Sequence, residues 1–109
     1  MLSVRFEESG EALVVTPMAR RLDAAAAPDL VALAGGWVRD RRLVVVSLAH
    51  VASADASGLA ALVALLQRMP PGGTLRLAHV NARIRSLLAS TLLDDLLPAA
   101  DDAGTTLRT

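Results

Sequence analysis

Four large aliphatic residues in a row, Leu-Val-Val-Val at positions 43–46, constrain the fold of this chain more than any other feature. A strand with one face in water alternates apolar and polar side chains, whereas an unbroken run indicates a strand covered on both faces, as central parallel strands are. This strand is predicted over residues 43–48. A leucine-rich helical pattern follows at 57–69, and a buried strand succeeded by a helix favours an α/β fold.

The remaining strands are predicted on either side of this central run. Residues 4–7 and 12–16 have the pattern of two strands joined by a turn at Ser9 and Gly10. Pro17 closes the second strand because proline cannot donate to a ladder. A last strand is predicted over 75–80. Because helices alternate with the later strands, we expect a mostly parallel sheet of four or five strands with an antiparallel hairpin at its N-terminal edge.

Three or four helices are predicted from apolar residues that recur at helical spacing. Asp23 is a candidate N-cap of the first helix, Pro28 falls near its start, and Asn81 is a candidate N-cap of the third. The apolar residues at this spacing share one face of each helix: Leu30, Leu33, Ala34, Trp37 and Val38 in the first, Leu59, Leu62, Val63, Leu66 and Met69 in the second, and Ile84, Leu87 and Leu88 in the third.

The chain is expected to form a single domain over residues 1–109. Its 109 residues suit one hydrophobic core, and 53% of them are apolar. A short apolar segment over 92–97 ends before Pro98, and residues 98–109 are expected to form a frayed tail.

Composition argues against several classes of function. Eleven basic residues balance 11 acidic ones and tyrosine is absent, so nucleic-acid binding is not expected. Cysteine is absent and His50 and His79 stand alone, so neither a metal site nor a cofactor is predicted. Without paired carboxylates or a phosphate-binding glycine loop, an enzyme is not expected. The sequence has no signal-peptide pattern and no long apolar run, which predicts a cytoplasmic protein that does not insert into a membrane.

The junction between the central strand and the next helix carries the most informative polar residues, Asp-Ala-Ser-Gly at positions 55–58. The first amides of a helix have no internal partner and carry positive partial charge, so this end favours an anion, including a phosphate on a side chain. Ser57 can cap the helix, or it can accept a phosphoryl group, and the residues alone leave both roles open. Gly58 allows another backbone to approach closely.

Three segments match those of a known family in order and spacing. They are MARRLDAAAAPDL at 18–30, LVVVSLAHVASADASGLAALVALLQRM at 43–69 and GGTLRLAHVNARIRSLLASTLLDDLLP at 72–98. Together they resemble the STAS domain, the fold shared by bacterial anti-sigma factor antagonists and the cytoplasmic tails of sulfate transporters. In that family they form the first helix with its approach, the central strand with a D-S-[ST]-G-L loop and the second helix, and the last strand and helix. The resemblance covers nearly the whole chain.

The resemblance implies an anti-sigma factor antagonist-like adaptor for a GHKL-type Ser/Thr kinase/anti-sigma factor in a partner-switching system. In the family, the kinase phosphorylates the serine directly after the loop aspartate, and the added charge breaks the complex. That position is Ala56 here, which cannot be phosphorylated, so Ser57 is the remaining candidate for phosphorylation. The residues implied to contact the partner are Leu22, Asp23, Ala24, Asp55, Ala56, Ser57, Gly58 and Leu59.

A second role remains open from the resemblance. Some small STAS proteins are accessory subunits of a phospholipid ABC transporter and dock on its ATPase. The absence of the usual phosphoacceptor, with Ala56 in its place, fits this role as well as the first.

Overall fold

The structure is a computed structural model that describes residues 1–91 and residue 97. Its elements follow in the order β1 (Val4–Ser9), β2 (Ala12–Pro17), β3 (Arg21–Leu22), α1 (Ala27–Ala34), β4 (Leu43–Ser47), β5 (Ser53–Ala54), α2 (Ala56–Arg68), β6 (Thr74–Ala78) and α3 (Ala82–Ser90). The described part of the chain contains no helix that is both long and apolar enough to cross a membrane.

The main sheet has four strands in the order β1-β2-β4-β6. β1 and β2 are antiparallel, and the β2–β4 and β4–β6 pairs are parallel. The predicted α/β class and mixed sheet are therefore confirmed. β3 and β5 form a separate parallel pair. These two strands were not predicted, since two residues each are too few to show an alternating pattern.

The central strand β4 is buried on both faces, as the apolar run predicts. Val44 and Val46 belong to the main core, while Val45 belongs to a second cluster on the opposite face of the sheet. All three side chains are fully inaccessible to solvent. The second cluster is completed by the small or branched residues Ala12, Val14 and Ala78.

The hairpin between β1 and β2 closes through a two-residue turn. Ser9 lies opposite Ala12, and Gly10 has a φ of +61°, as the first central residue of a type II′ turn requires. An Arg41–Glu8 ion pair ties the hairpin to the segment before β4, with both guanidinium nitrogens on the carboxylate at 2.6 and 2.5 Å. These hydrogen bonds hold the pKa of Glu8 below its ordinary value of 4.5.

The first helix is shorter than its apolar pattern predicts. α1 ends at Ala34, and Leu30, Ala34 and the later residue Val38 are buried. Two residues of the predicted apolar face are not buried, since Leu33 is 39% exposed and Trp37 is 49% exposed. Leu33 lies at the side of the helix, one position before the buried Ala34. Trp37 follows the helix end and therefore leaves the helical spacing.

The second and third helices follow their predicted patterns more closely. Leu59 and Leu62 of α2 and Met69 at its C-cap are buried, and Val63 and Leu66 are partly buried against the same core. Each fully buried leucine contributes about 1.5–3 kcal/mol relative to an exposed one. The buried stripe is wider than predicted and includes two further residues of α2, Ala61 and Leu65. In α3, Ile84 and Leu88 are buried and Leu87 is partly buried.

The last strand ends earlier than the predicted range of 75–80. β6 stops at Ala78 because His79 adopts the left-handed region, with a φ of +56°. This turn redirects the chain into Asn81 and α3. The predicted segment 92–97 and tail 98–109 lie outside the described residues, apart from Leu97, which is fully buried.

Candidate docking site at the amino terminus of the second helix

The start of α2 is fixed by the side chain of Asp55. One carboxylate oxygen, Oδ1, accepts from the amides of Ser57 at 2.9 Å and Gly58 at 3.2 Å. This is an N-cap, which typically stabilises a protein by about 1 kcal/mol relative to alanine. Asp55, not Ser57, therefore caps the helix, and the capping role considered for the Ser57 hydroxyl is taken by its neighbour.

Asp23 makes the same pair of contacts but does not cap α1 directly. Its Oδ1 accepts from the amides of Ala25 and Ala26, each at 3.1 Å. Helix α1 begins at Ala27, and the residue at its N-cap position, Ala26, makes no side-chain capping hydrogen bond. The predicted N-cap role is thus corrected: Asp23 closes the turn that precedes the helix. Pro28 lies in the first turn of α1, as predicted.

The two aspartate loops are joined by the small β3–β5 sheet. Arg21 pairs with Ser53 and Leu22 with Ala54, and the amide of Asp55 donates to the carbonyl of Leu22 at 3.3 Å. The loop at 22–23 therefore lies beside the loop at 55–58. One edge of the molecule therefore presents both loops together.

Gly58 is the point of closest approach between these loops. A Cβ built on Gly58 would overlap the carbonyl oxygen of Leu22 and lie 2.9 Å from its carbonyl carbon. No L-residue with a side chain fits there without displacing the backbone. The predicted close approach of another backbone to this glycine is confirmed, and that backbone belongs to β3.

Asn81 fixes the loop before β5 from the other side. Its Oδ1 accepts from the amide of Ile84 at 2.9 Å, which confirms the predicted N-cap of α3. Its Nδ2 donates to the carbonyls of Ala52 at 3.0 Å and Val51 at 3.4 Å. Sequence reasoning missed this second role. The side-chain amide was the available indication, because its NH₂ group offers donors that the carboxylate of an Asp cap lacks.

The eight residues predicted to contact a partner separate into three groups by burial. Leu22, Gly58 and Leu59 are buried, so they support the loops and present no side chain to solvent. Asp23 and Ser57 are half-buried. Ala24, Asp55 and Ala56 are exposed. The accessible surface is thus the end of α2 at Asp55 and Ala56, with the turn after Asp23 beside it.

A shallow apolar groove continues from this surface along the contact between α1 and α2. Its volume is about 360 Å³, and its walls include Ala24, Pro28, Val31, Ser57, Ala60 and Ala64. The lining residues are nearly all small, so the groove is smooth enough for an element of another protein to lie close to both helices. Ser57, in the first turn of α2, is the polar residue of its lining.

His50 and His79 are not part of a metal-binding cluster among the described residues. Within residues 1–91 and 97, no group of three or more His, Cys, Asp or Glu side chains is placed to hold a metal ion. What the surface around Ala56 can provide is a set of helix amides already satisfied by Asp55, one exposed carboxylate and an apolar groove.

Comparison with known proteins gives a family model and several solved structures. A model for the STAS domain matches residues 3–105. No match was found among curated protein sequences.

The structural matches extend over almost the whole chain. An anti-sigma factor antagonist from Mycobacterium paratuberculosis has a TM-score of 0.82 and 23% identity, covering 100% of this chain and 96% of that one. An anti-sigma-factor antagonist (STAS) domain protein from Planctomyces limnophilus has a TM-score of 0.88 and 18% identity, covering 99% and 97%. A sulfate transporter family protein from Wolinella succinogenes has a TM-score of 0.73 and 17% identity, covering 91% and 84%. At these identities the structural similarity concerns the fold.

Proposed function

The chain belongs to the STAS domain family, whose model matches residues 3–105, and we propose that it is an anti-sigma factor antagonist-like adaptor. In this proposal its partner is a GHKL-type Ser/Thr kinase that is also an anti-sigma factor. The adaptor occupies the kinase surface, and the sigma factor is released. The work of the adaptor is binding, without a reaction of its own.

One observation carries this proposal: the exposed start of α2 lies beside a second loop that is held to it by backbone pairing. Asp55 and Ala56 are exposed, and the β3–β5 pair holds the turn after Asp23 next to them. Loops on a rigid scaffold are the usual carriers of binding function. The buried Gly58 and Leu22 make this pair of loops a preformed surface, which lowers the entropic cost of binding.

Ala56 decides how such an adaptor is regulated. It is exposed and directly follows the loop aspartate, where the family's antagonists carry the serine that is phosphorylated. A methyl group cannot receive a phosphoryl group, so the usual source of about −1.5 to −2 charge is missing. The nearest hydroxyl belongs to Ser57, which is half-buried at the wall of the α1–α2 groove. We therefore expect the complex to persist in the presence of ATP.

The test has two stages. The chain is first used as bait in its native cell extract, and the captured kinase is identified by mass spectrometry. The purified kinase is then incubated with the chain and ATP, and the intact mass of the chain is measured. The proposal expects a stable complex and an unmodified chain. A quantitative mass increase of one phosphate at Ser57, with loss of the complex, would reject the constitutive form and restore a switch at that residue.

A second candidate function is an accessory subunit that docks on the ATPase of a phospholipid ABC transporter. Ala56 favours it, because an adaptor that only supports assembly needs no phosphoacceptor at this exposed position. The same bait experiment separates the two. Capture of an ABC transporter ATPase in stoichiometric amount, with no kinase, would replace the first proposal by this one.

A further inference from the structure

The outer edge of β1 carries backbone groups that pair with no strand in the described part of the chain. β1 lies at the edge of the main sheet, and within residues 1–91 its one strand neighbour is β2. In an antiparallel pair, opposite residues alternate between hydrogen-bonded and non-bonded positions. Since the pair Ser9–Ala12 flanks a two-residue turn, the bonded positions of β1 are Ser9, Glu7 and Arg5. Pro17, which has no N–H, accordingly lies opposite the non-bonded Val4.

The N–H and C=O groups of Val4, Phe6 and Glu8 therefore point away from β2. No hydrogen bond from the described residues reaches these outward groups. Such a row of unpaired groups is a template on which another strand can pair.

Apolar surface surrounds this edge. The large apolar side chains that are exposed in the described residues are Met1, Met18, Leu33 and Trp37. Trp37 stacks on Phe6 of β1 with ring centroids 4.4 Å apart and planes 11° from parallel. Leu33 and Trp37 line the same cleft, and the amide of Met18 donates to Ser3, just before β1. Exposed apolar groups gathered around one strand are a feature of interaction surfaces.

The charges on β1 select a partner and a register. Arg5 and Glu7 are exposed on the face opposite Phe6, and neither side chain has an ion pair or hydrogen bond among the described residues. Two copies of β1 can pair antiparallel in several registers. A twofold axis at residue 5 places Arg5 of one copy opposite Arg5 of the other, and an axis at residue 7 places Glu7 opposite Glu7. An axis at Phe6 places Arg5 opposite Glu7 twice. Opposite charges across a pair are stabilising and like charges are destabilising.

We propose that this edge is a self-association surface, at which two copies of the chain pair β1 with β1 antiparallel about a twofold axis at Phe6. The outward backbone groups of Phe6 and of the Val4–Glu8 pairs then become hydrogen-bonded. Arg5 of each copy faces Glu7 of the other at the non-bonded positions, where side chains come closest. The two Phe6–Trp37 stacks meet across the axis, and the two four-stranded sheets become one. This surface shares no residue with the docking site around Ala56, so self-association can be tested independently of the proposed function.

Sedimentation velocity of the purified chain, from micromolar to millimolar concentration, tests the proposal. We expect a monomer–dimer equilibrium that Arg5→Glu and Glu7→Arg each weaken by about tenfold, because two pairs become like-charged. The double variant R5E/E7R should recover the wild-type dimer constant. Glu11→Arg is the matched control, since it reverses an exposed charge in the turn outside the paired segment.

Three outcomes would overturn the proposal. They are a monomer at every concentration, a dimer that both single reversals leave unchanged, and a double variant that does not recover. Circular dichroism of each variant shows whether the fold is retained. The control reverses one charge, as each single variant does, and the double variant combines both reversals, so a loss of dimer through unfolding alone would not follow this pattern.

Discussion

Asp23 and Asp55 stand at corresponding places in the two halves of the docking site. Each follows a two-residue strand of the β3–β5 pair, and each accepts from the amides two and three residues later. After Asp55 the helix begins at once, at Ala56. After Asp23 there is a turn, and the helix begins only at Ala27.

Pro28 accounts for this difference. A helix that began directly after Asp23 would need the amide of residue 28 to donate to the carbonyl of Ala24, and proline has no amide hydrogen. Its ring would also collide with that carbonyl. The helix must therefore start late enough for Pro28 to lie in its first turn, where no donor is needed. Two similar capping residues thus give two different surfaces, a helix end at Ala56 and a turn beside it.

Gly58→Ala is expected to have the largest effect on the stability of the two paired loops. The new methyl group would meet the carbonyl oxygen of Leu22, so the β3–β5 pair and the start of α2 cannot both keep their positions. We expect a loss of about 3 kcal/mol in the free energy of unfolding, measured by urea denaturation. Gly36→Ala is the control, because a Cβ there meets nothing within 4 Å. Equal stabilities of the two variants would contradict this packing.

Removing each aspartate compares the two loops directly. Asp55→Ala takes the cap from α2 and should cost about 1 kcal/mol of stability. Asp23→Ala should cost less, since Asp23 holds a turn and not a helix end. Both free energies of unfolding can be measured by urea denaturation, with the asparagine variants, which keep an acceptor oxygen, close to wild type. A larger loss of stability for Asp23→Ala than for Asp55→Ala would contradict the assignment of Asp55 as the helix cap and Asp23 as the turn residue.

Asn81→Asp tests whether α3 holds only one of the two loops. Aspartate keeps the cap on Ile84 but loses the donor to Val51 and Ala52. We expect a loss of about 0.5–1.5 kcal/mol, the usual contribution of a hydrogen bond. Amide hydrogen exchange should become faster at 52–55 and stay unchanged at 21–24. Faster exchange in both loops, or in neither, would disagree with this anchoring.

Pro28→Ala should have the smallest effect on stability, within about 1 kcal/mol, because gains in the helix are offset by a more flexible unfolded chain. The informative measurement is the Cα chemical shift of residues 24–26. These shifts should move toward helical values as α1 extends back to Asp23. Unchanged shifts would mean that something other than Pro28 delays the helix.

The sequence supports the central elements because their patterns are long. The aliphatic run in β4 and the leucine spacing of α2 reflect burial over a whole element, and both were predicted within one or two residues. The caps at Asp55 and Asn81 concern short-range chemistry. The cap by Asn81 could be predicted from its own side chain. For the cap of α2, the sequence suggested Ser57 as one option, and Asp55 was not identified.

What the sequence could not provide depends on contacts between distant segments. β3 and β5 exist because Leu22 and Ala54 meet across the fold, and neither segment has a pattern of its own. The exposure of Trp37 depends on where α1 ends and on the ring of Phe6, 31 positions earlier in the chain. The division of the predicted site into buried and exposed residues likewise needed the packed structure.

The most direct test of the docking surface is a titration of the captured partner kinase with the wild-type chain, Ala56→Asp and Ala82→Asp. Both alanines are exposed and are the first residues of capped helices, where an acidic side chain is favourable, so neither variant should lose stability. We predict that Ala56→Asp weakens binding by at least about tenfold, as an introduced charge at a closely packed interface would, while Ala82→Asp binds as wild type. Equal affinities for all three chains would contradict the placement of the partner at the start of α2.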